Sequence, residues 1–244
     1  MRHTRSIFYL TLITLFVTIA KLHAITPREE LLNLSKRYTD AKGFSMNINV
    51  AIYMNSQDAV PQQQYKGLIM KSSNCYYSSI MGQISLVNER CQIVVDEQQK
   101  VIYYDGQKIK SASPRKSSYD FTSLIDSAVI PNNKIQFVSQ GNENVLEVIP
   151  VKADFYKRML ISYISSSDEI TSITYFFDES EDGNVGKVKI AYSQIQLGPE
   201  PAESFFSEKK FIEKKSNTIL PSSAYAGYQV VDITEPVSLP TDNN

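Results

Sequence analysis

The chain has no tryptophan and only two histidines, His3 and His23. Both sit in a segment with the marks of an export signal: Arg2 and Arg5, an apolar run from Ile7 to Ala20 broken only by Thr11, Thr14 and Thr18, and a small residue at Ala24. The run falls short of the about 20 residues that a membrane span needs, so cleavage after Ala24 is the expectation and a single membrane anchor the other reading. No cysteine lies near Ala24, so a lipoprotein's acylation site is missing. Without residues 1–24 the chain has no histidine at all. That excludes Ser-His-Asp and Cys-His nucleophile pairs, imidazole acid–base chemistry and the usual zinc or copper sites.

A basic surplus is also missing. Loss of Arg2, Arg5 and Lys21 reduces 25 basic residues to 22 against 26 acidic ones, a net charge of −4. An acidic chain without a basic stripe lacks the footprint of nucleic-acid binding. No Gly-rich phosphate cradle, nucleophile elbow or HExxH occurs, so neither an enzyme nor a cofactor is expected. Two carboxylates alone could hydrolyse a glycoside, but no spacing singles out a pair, and the lack of tryptophan weakens a sugar-stacking cleft. Asp178 to Gly183 begins like a calcium loop, yet Lys189 stands where the bidentate glutamate belongs, so no metal is expected there either.

What is present is aromatic and β-forming: 15 tyrosines and 11 phenylalanines, which suit pleated, half-buried surfaces. The organising stretch is Phe44 to Met54. Phe44, Met46, Ile48, Val50, Ile52 and Met54 alternate with Ser45, Asn47, Asn49, Ala51 and Tyr53, so an extended backbone has one apolar and one polar face. A strand of that length suits a large curved sheet or an open barrel, whose inner face needs an apolar partner.

Before it, Thr26-Pro27-Arg28-Glu29 is a capping box opening a helix with Leu31, Leu34, Tyr38 and Ala41 on one face and Gly43 at its end. After it, Gln64–Lys71 and Cys75–Met81 form a hairpin, Gln83–Arg90 is strand or loop, and Gln92–Asp96 with Val101–Asp105 forms another hairpin. The unbroken apolar run Ile93-Val94-Val95 predicts cover on both faces, with the helix as one candidate. Ser111 to Ser118 reads as a loop. From Asp120, Phe121, Leu124, Ile125 and Ala128 mark a second amphipathic helix, either a packed connector or a mobile lid.

The second half is an antiparallel meander: Lys134–Ser139, Val145–Val151, Tyr156–Ile164, Ile170–Phe177, Lys187–Leu197 and, last, Ala226–Ile233. Lys209, Lys210, Lys214 and Lys215, alternating with Glu208 and Glu213, read as a solvated face. Cys75 and Cys91 are the only cysteines, and a disulfide between them is open: they meet only if Gln83 to Arg90 makes a strand of its own or folds back. The predicted organisation is a signal peptide (1–24), one mainly β (α+β) domain (25–233) and a flexible C-terminal tail (234–244).

In its order of elements the chain resembles the periplasmic lipoprotein carriers of the LolA/LolB type. The resemblance rests on the capped helix and long strand, the hairpin with Lys66, Gly67 and Lys71, and the hairpin with Ile93, Asp96, Tyr103, Tyr104 and Asp105. It continues through the mid-chain helix, LEVIPVKADFYKRMLISY, ITSITYFFD, GKVKIAYSQI and SFF. It implies an incomplete antiparallel β-barrel with helical lids that carries the acyl chains of a lipid or lipidated protein in the periplasm. An arginine that helps hold the lid closed in that family has no counterpart between Asn74 and Ser79. For such a carrier, Met46, Ile48, Val50 and Ile52 are the expected trough wall, and Phe121, Leu124 and Ile125 the lid. The alternative is an envelope assembly protein that uses the same fold to bind other envelope proteins.

Overall fold

Strand β1 (Gly43–Tyr53) is paired along both edges, antiparallel to β2 (Gln63–Ser72) on one side and to β11 (Lys187–Leu197) on the other. The chain, a computed structural model, is described over residues 25–106, 132–152, 156–178, 185–216 and 218–234. The expected export signal, the expected mid-chain helix with Phe121, Leu124 and Ile125, and the expected tail beyond Thr234 lie outside the described residues. From β2 the sheet continues by short hairpins through β3 (Cys75–Ile80), β4 (Gln83–Val87), β5 (Gln92–Asp96) and β6 (Val101–Asp105). On the other side of β1 it runs through β11, β10 (Glu169–Phe176), β9 (Arg158–Ile164) and β8 (Glu143–Ile149) to β7 (Lys134–Ser139). With β14 (Gln229–Asp232) beside β6, this makes a curved, unclosed sheet of twelve strands among the described residues. Gln83–Val87 is thus a strand, as one of the two readings had it.

One pairing departs from the expected meander. β14 is parallel to β6, with Val230 beside Ile102. Parallel pairing needs a crossover, and residues between β11 and β14 supply one by running back over the sheet. Thr234, expected at the head of a loose tail, is tied down: its Oγ1 accepts the Gly106 N–H at 2.8 Å.

Helix α1 (Pro27–Thr39) has the predicted capping box. Glu29 N–H donates to Thr26 Oγ1 at 3.2 Å, and Thr26 N–H donates to Glu29 Oε2 at 2.9 Å. It stops earlier than the apolar spacing suggests, with Asp40 as C-cap, leaving Ala41 outside the helix and Gly43 as the first residue of β1. Leu31, Leu34 and Tyr38 are buried on the inner face of the sheet, the face that carries Phe44, Met46, Ile48 and Val50. Each such burial is worth about 1.5–3 kcal/mol. The helix is pinned at both ends. Arg28 Nη2 donates to the Asn133 carbonyl at 2.7 Å beside β7, while Lys71 Nζ donates to the last helical carbonyl, that of Thr39, at 3.0 Å.

The outer face has its own cover, over β2 to β6. Phe206, Phe211 and Ile212 pack there with Met70, Ile84, Leu86, Cys91, Ile93, Val95, Ile102 and Tyr104. These residues come from two short 3-10 turns and the hairpin of β12 (Ile212–Lys215) and β13 (Thr218–Pro221). The second cover over Ile93 and Val95 is therefore the C-terminal segment, not α1. The charged stretch is likewise not all solvated. Glu208 is 8% exposed and accepts from Arg90 Nη2 at 2.7 Å, and Lys214 Nζ donates to the Tyr104 hydroxyl at 2.7 Å.

Asn88, at the β4–β5 turn, joins the two layers. Its Oδ1 accepts from the N–H groups of Arg90 and Cys91, and its Nδ2 donates to the Phe206 carbonyl at 2.9 Å. Removing a buried group that serves this many partners strands them without water. Asn88→Ala is expected to lower unfolding free energy by about 2–3 kcal/mol in a denaturant titration, whereas Glu89→Ala next door on the surface changes it little.

Candidate functional site

Cross-strand register sets what the inner face presents. Opposite residues share a face, so Met46 sits beside Ile69, Ile48 beside Gly67 and Tyr192, Val50 beside Tyr65 and Ile190, and Ile52 beside Val188. Gly67 is what lets Ile48 lie flat across β2: a Cβ there would stand 2.8 Å from Ile48 Cγ1. A register shift between Ser45 and Asn47, with Gln194 at φ 52, bends β11 against β1 and increases the local twist of the sheet.

The expected trough wall divides in two. Met46, Ile48 and Val50 are 1, 4 and 6% exposed and share one cluster with Leu31, Leu34 and Tyr38 of α1. Ile52 is half-buried and lies at the far end of β1, away from the helix C-terminus that Lys71 holds near Phe44. Around Ile52 the inner face carries Tyr65, Tyr156, Phe177, Val188 and Ile190, all partly buried and packed against the sealed core. This apolar rim is the candidate site. Alternation in Lys187 to Tyr192 marks Val188 and Ile190 as facing one way, but nothing local shows that β11 is the neighbour of β1. Phe121, Leu124 and Ile125, the expected lid, lie outside the described residues.

The rim is backed by phenols. The Tyr38 hydroxyl accepts the Ile170 N–H at 3.0 Å, and the Tyr163 hydroxyl accepts from Asn144 Nδ2 at 3.1 Å. Tyr175, between Met159 and Val188, meets Tyr156 edge-on with ring centroids 5.3 Å apart. Burial holds the Tyr38, Tyr163, Tyr175 and Tyr192 phenols above their ordinary pKa, with Glu30 adding to the effect at Tyr163. All four are neutral at physiological pH and can act as hydrogen-bonding groups, not as bases. Among the described residues, no cluster of three His, Cys, Asp or Glu side chains is placed to hold a metal. Asp178 of the calcium-like loop pairs with Lys157 at 2.7 Å, and residues 179–184 lie outside the described set.

The cysteines lie on the other face. β4 does supply the extra strand that a Cys75–Cys91 bridge requires, and both residues belong to the outer cluster, yet both thiols are free. Cys91 Sγ lies 3.6 Å from Asn88 Oδ1, and burial pushes its pKa up to about 11.

No family model matches the chain, and no curated protein does either. Among solved structures it is similar to an uncharacterized conserved protein of Thermus thermophilus, at 6% identity over 84% of this chain and 98% of that one, with a TM-score of 0.47. A LolA superfamily protein of Nitrosomonas europaea is 12% identical over 76% of this chain and 99% of that one, TM-score 0.34. Pseudomonas aeruginosa MucB, in its complex with MucA, is 12% identical over 74% of this chain and 60% of that one, TM-score 0.39. LolA superfamily proteins are therefore among its structural neighbours. Likeness at this level transfers no residue role or ligand.

Thiol chemistry checks the outer face. With a pKa of about 11, roughly one Cys91 in a thousand is ionised at pH 8, so native labelling by iodoacetamide should spare it. In denaturant two thiols per chain are expected. A count of zero there would show a bridge instead.

Proposed function

We propose that the chain is an exported, non-catalytic binding protein that holds the acyl chains of a lipid or a lipidated protein against the inner face of its sheet. The observation that carries this reading is the half-buried apolar rim of Ile52, Tyr65, Tyr156, Phe177, Val188 and Ile190, continuous with the sealed core. Each methylene withdrawn from water there contributes about 0.8 kcal/mol, so an acyl chain binds without any charged anchor. In this reading Ile52 touches the ligand, Met46, Ile48 and Val50 form the wall behind it, and Phe121, Leu124 and Ile125 cover it as a lid. In this reading the expected export signal directs the chain to the periplasm. Among the described residues no helix is long and apolar enough to cross one.

A second reading, an envelope assembly protein, has one observation in its favour. β7 is an end strand of the sheet and carries Val138 at 57% exposure; among the described residues its outer edge pairs with no strand, so in this reading it takes a strand from a protein partner.

Organic extraction of gently purified protein followed by mass spectrometry separates the two. Acyl species in the extract support the carrier. A clean extract, with no uptake of a fluorescent acyl ester, removes that reading and leaves assembly. Val188→Asp puts a charge in the rim and should weaken uptake at least about tenfold. Because Val188 is not sealed, the melting temperature should fall by less than about 5 °C.

A further inference from the structure

Among the described residues the buried Tyr175 hydroxyl donates to nothing. The residue is 6% exposed, and its oxygen has no hydrogen-bond partner among them. Phenylalanine would give the same ring packing against Tyr156 without burying an unsatisfied donor. Buried hydroxyls in folded proteins are normally paired, and an orphan points to a partner that arrives from outside. Tyr175 also stands where such a partner would enter. It faces Val188 across β10 and β11, and Val188, Tyr156 and Phe177 are the half-buried rim around it.

We propose that Tyr175 is a recognition residue that donates its hydroxyl hydrogen to the carbonyl oxygen at the head of a bound acyl chain. The inference rests on the acyl-binding reading above and specifies the ligand: a chain ending in a neutral ester or amide carbonyl. The neutrality follows from the surroundings. Burial is the main influence on this phenol, the phenols of Tyr156 and Tyr192 are its ring neighbours, and among the described residues no lysine, arginine or carboxylate is found to act on it. A carboxylate or phosphate there would be stripped of water with no cation to pair it, whereas a neutral carbonyl needs only the one donor.

The test is displacement of an uncharged polarity-sensitive dye by two probes of matched length, methyl palmitate and hexadecyl methyl ether, which differ in the carbonyl. Wild-type protein is expected to prefer the ester about tenfold, a difference of about 1.4 kcal/mol. Tyr175→Phe should bind both as wild type binds the ether, with an unchanged or higher melting temperature. N-methylpalmitamide tells the carbonyl's two sources apart: binding stronger than the ester's indicates an amide-linked chain of a lipidated protein, weaker binding an ester-linked lipid. Equal displacement by ester and ether in wild type, or an ester preference kept by Tyr175→Phe, overturns the proposal. So does a melting temperature lowered by several degrees, which would reveal a partner for the hydroxyl within the fold. If no probe binds wild type at all, the acyl-binding reading itself has failed, and that outcome is distinct from the others.

Discussion

Pairing of β1 on both edges is the constraint on which the inner face depends. Strand side chains alternate with a period of two, so a slip of one residue would turn Met46, Ile48 and Val50 out to water and bring Asn47 and Asn49 in. β2 and β11 hold nearly the whole length of β1 against that slip. Their own apolar residues then fall into the same rows: Ile69 with Met46, Tyr192 with Ile48, Tyr65 and Ile190 with Val50, Val188 with Ile52. Four of the rim residues, Ile52, Tyr65, Val188 and Ile190, lie in the last two rows of this ladder, at the end of β1 away from the C-terminus of α1.

The sheet buries its two faces in different places. On the inner face α1 packs over β1 and the strands from β11 to β7; on the outer face the C-terminal segment packs over β2 to β6. Spending the described segment that follows β11 on the outer face has a consequence for the inner one. Among the described residues α1 is the helix that covers it, and a single 13-residue helix, about 20 Å long, cannot roof a sheet of this width. In the acyl-binding reading proposed above, the sealed part of the face stabilises the fold and the half-buried rim beside it receives the ligand.

Much of the frame was legible in residue order because it is locally encoded. The Thr26–Glu29 capping box, the alternation from Phe44 to Ile52, and the β5–β6 hairpin each depend on neighbours a few positions apart. The site was only partly legible. Alternation marked Met46, Ile48, Val50 and Ile52 as one face, but which of them are sealed depends on where α1 ends, a tertiary fact. Tyr65, Val188 and Ile190 join the site through pairings that no local pattern announces. The C-terminal segment misled for a similar reason: Phe206, Phe211 and Ile212 are scattered among lysines and glutamates, and burial of Glu208 is possible only because Arg90 and Asn88, well over a hundred residues earlier, meet it. The parallel β14 had no signal of its own, since a four-residue strand reads alike in either direction.

The pairing of β1 with β11 also sets an order of assembly. β1 to β6 follow one another in the chain and pair in sequence order, so they can zip up as soon as they are made, but the other edge of β1 must wait for Lys187–Leu197; Asn47 and Gln194, bonded at 2.7 Å, are 147 residues apart in the chain. Contacts of such long range make folding slow. Until they form, the half-sheet presents an eleven-residue open edge with a bare apolar face, the kind of surface that associates with other chains. A protein built this way spends its early life as something that must be kept apart from its own copies.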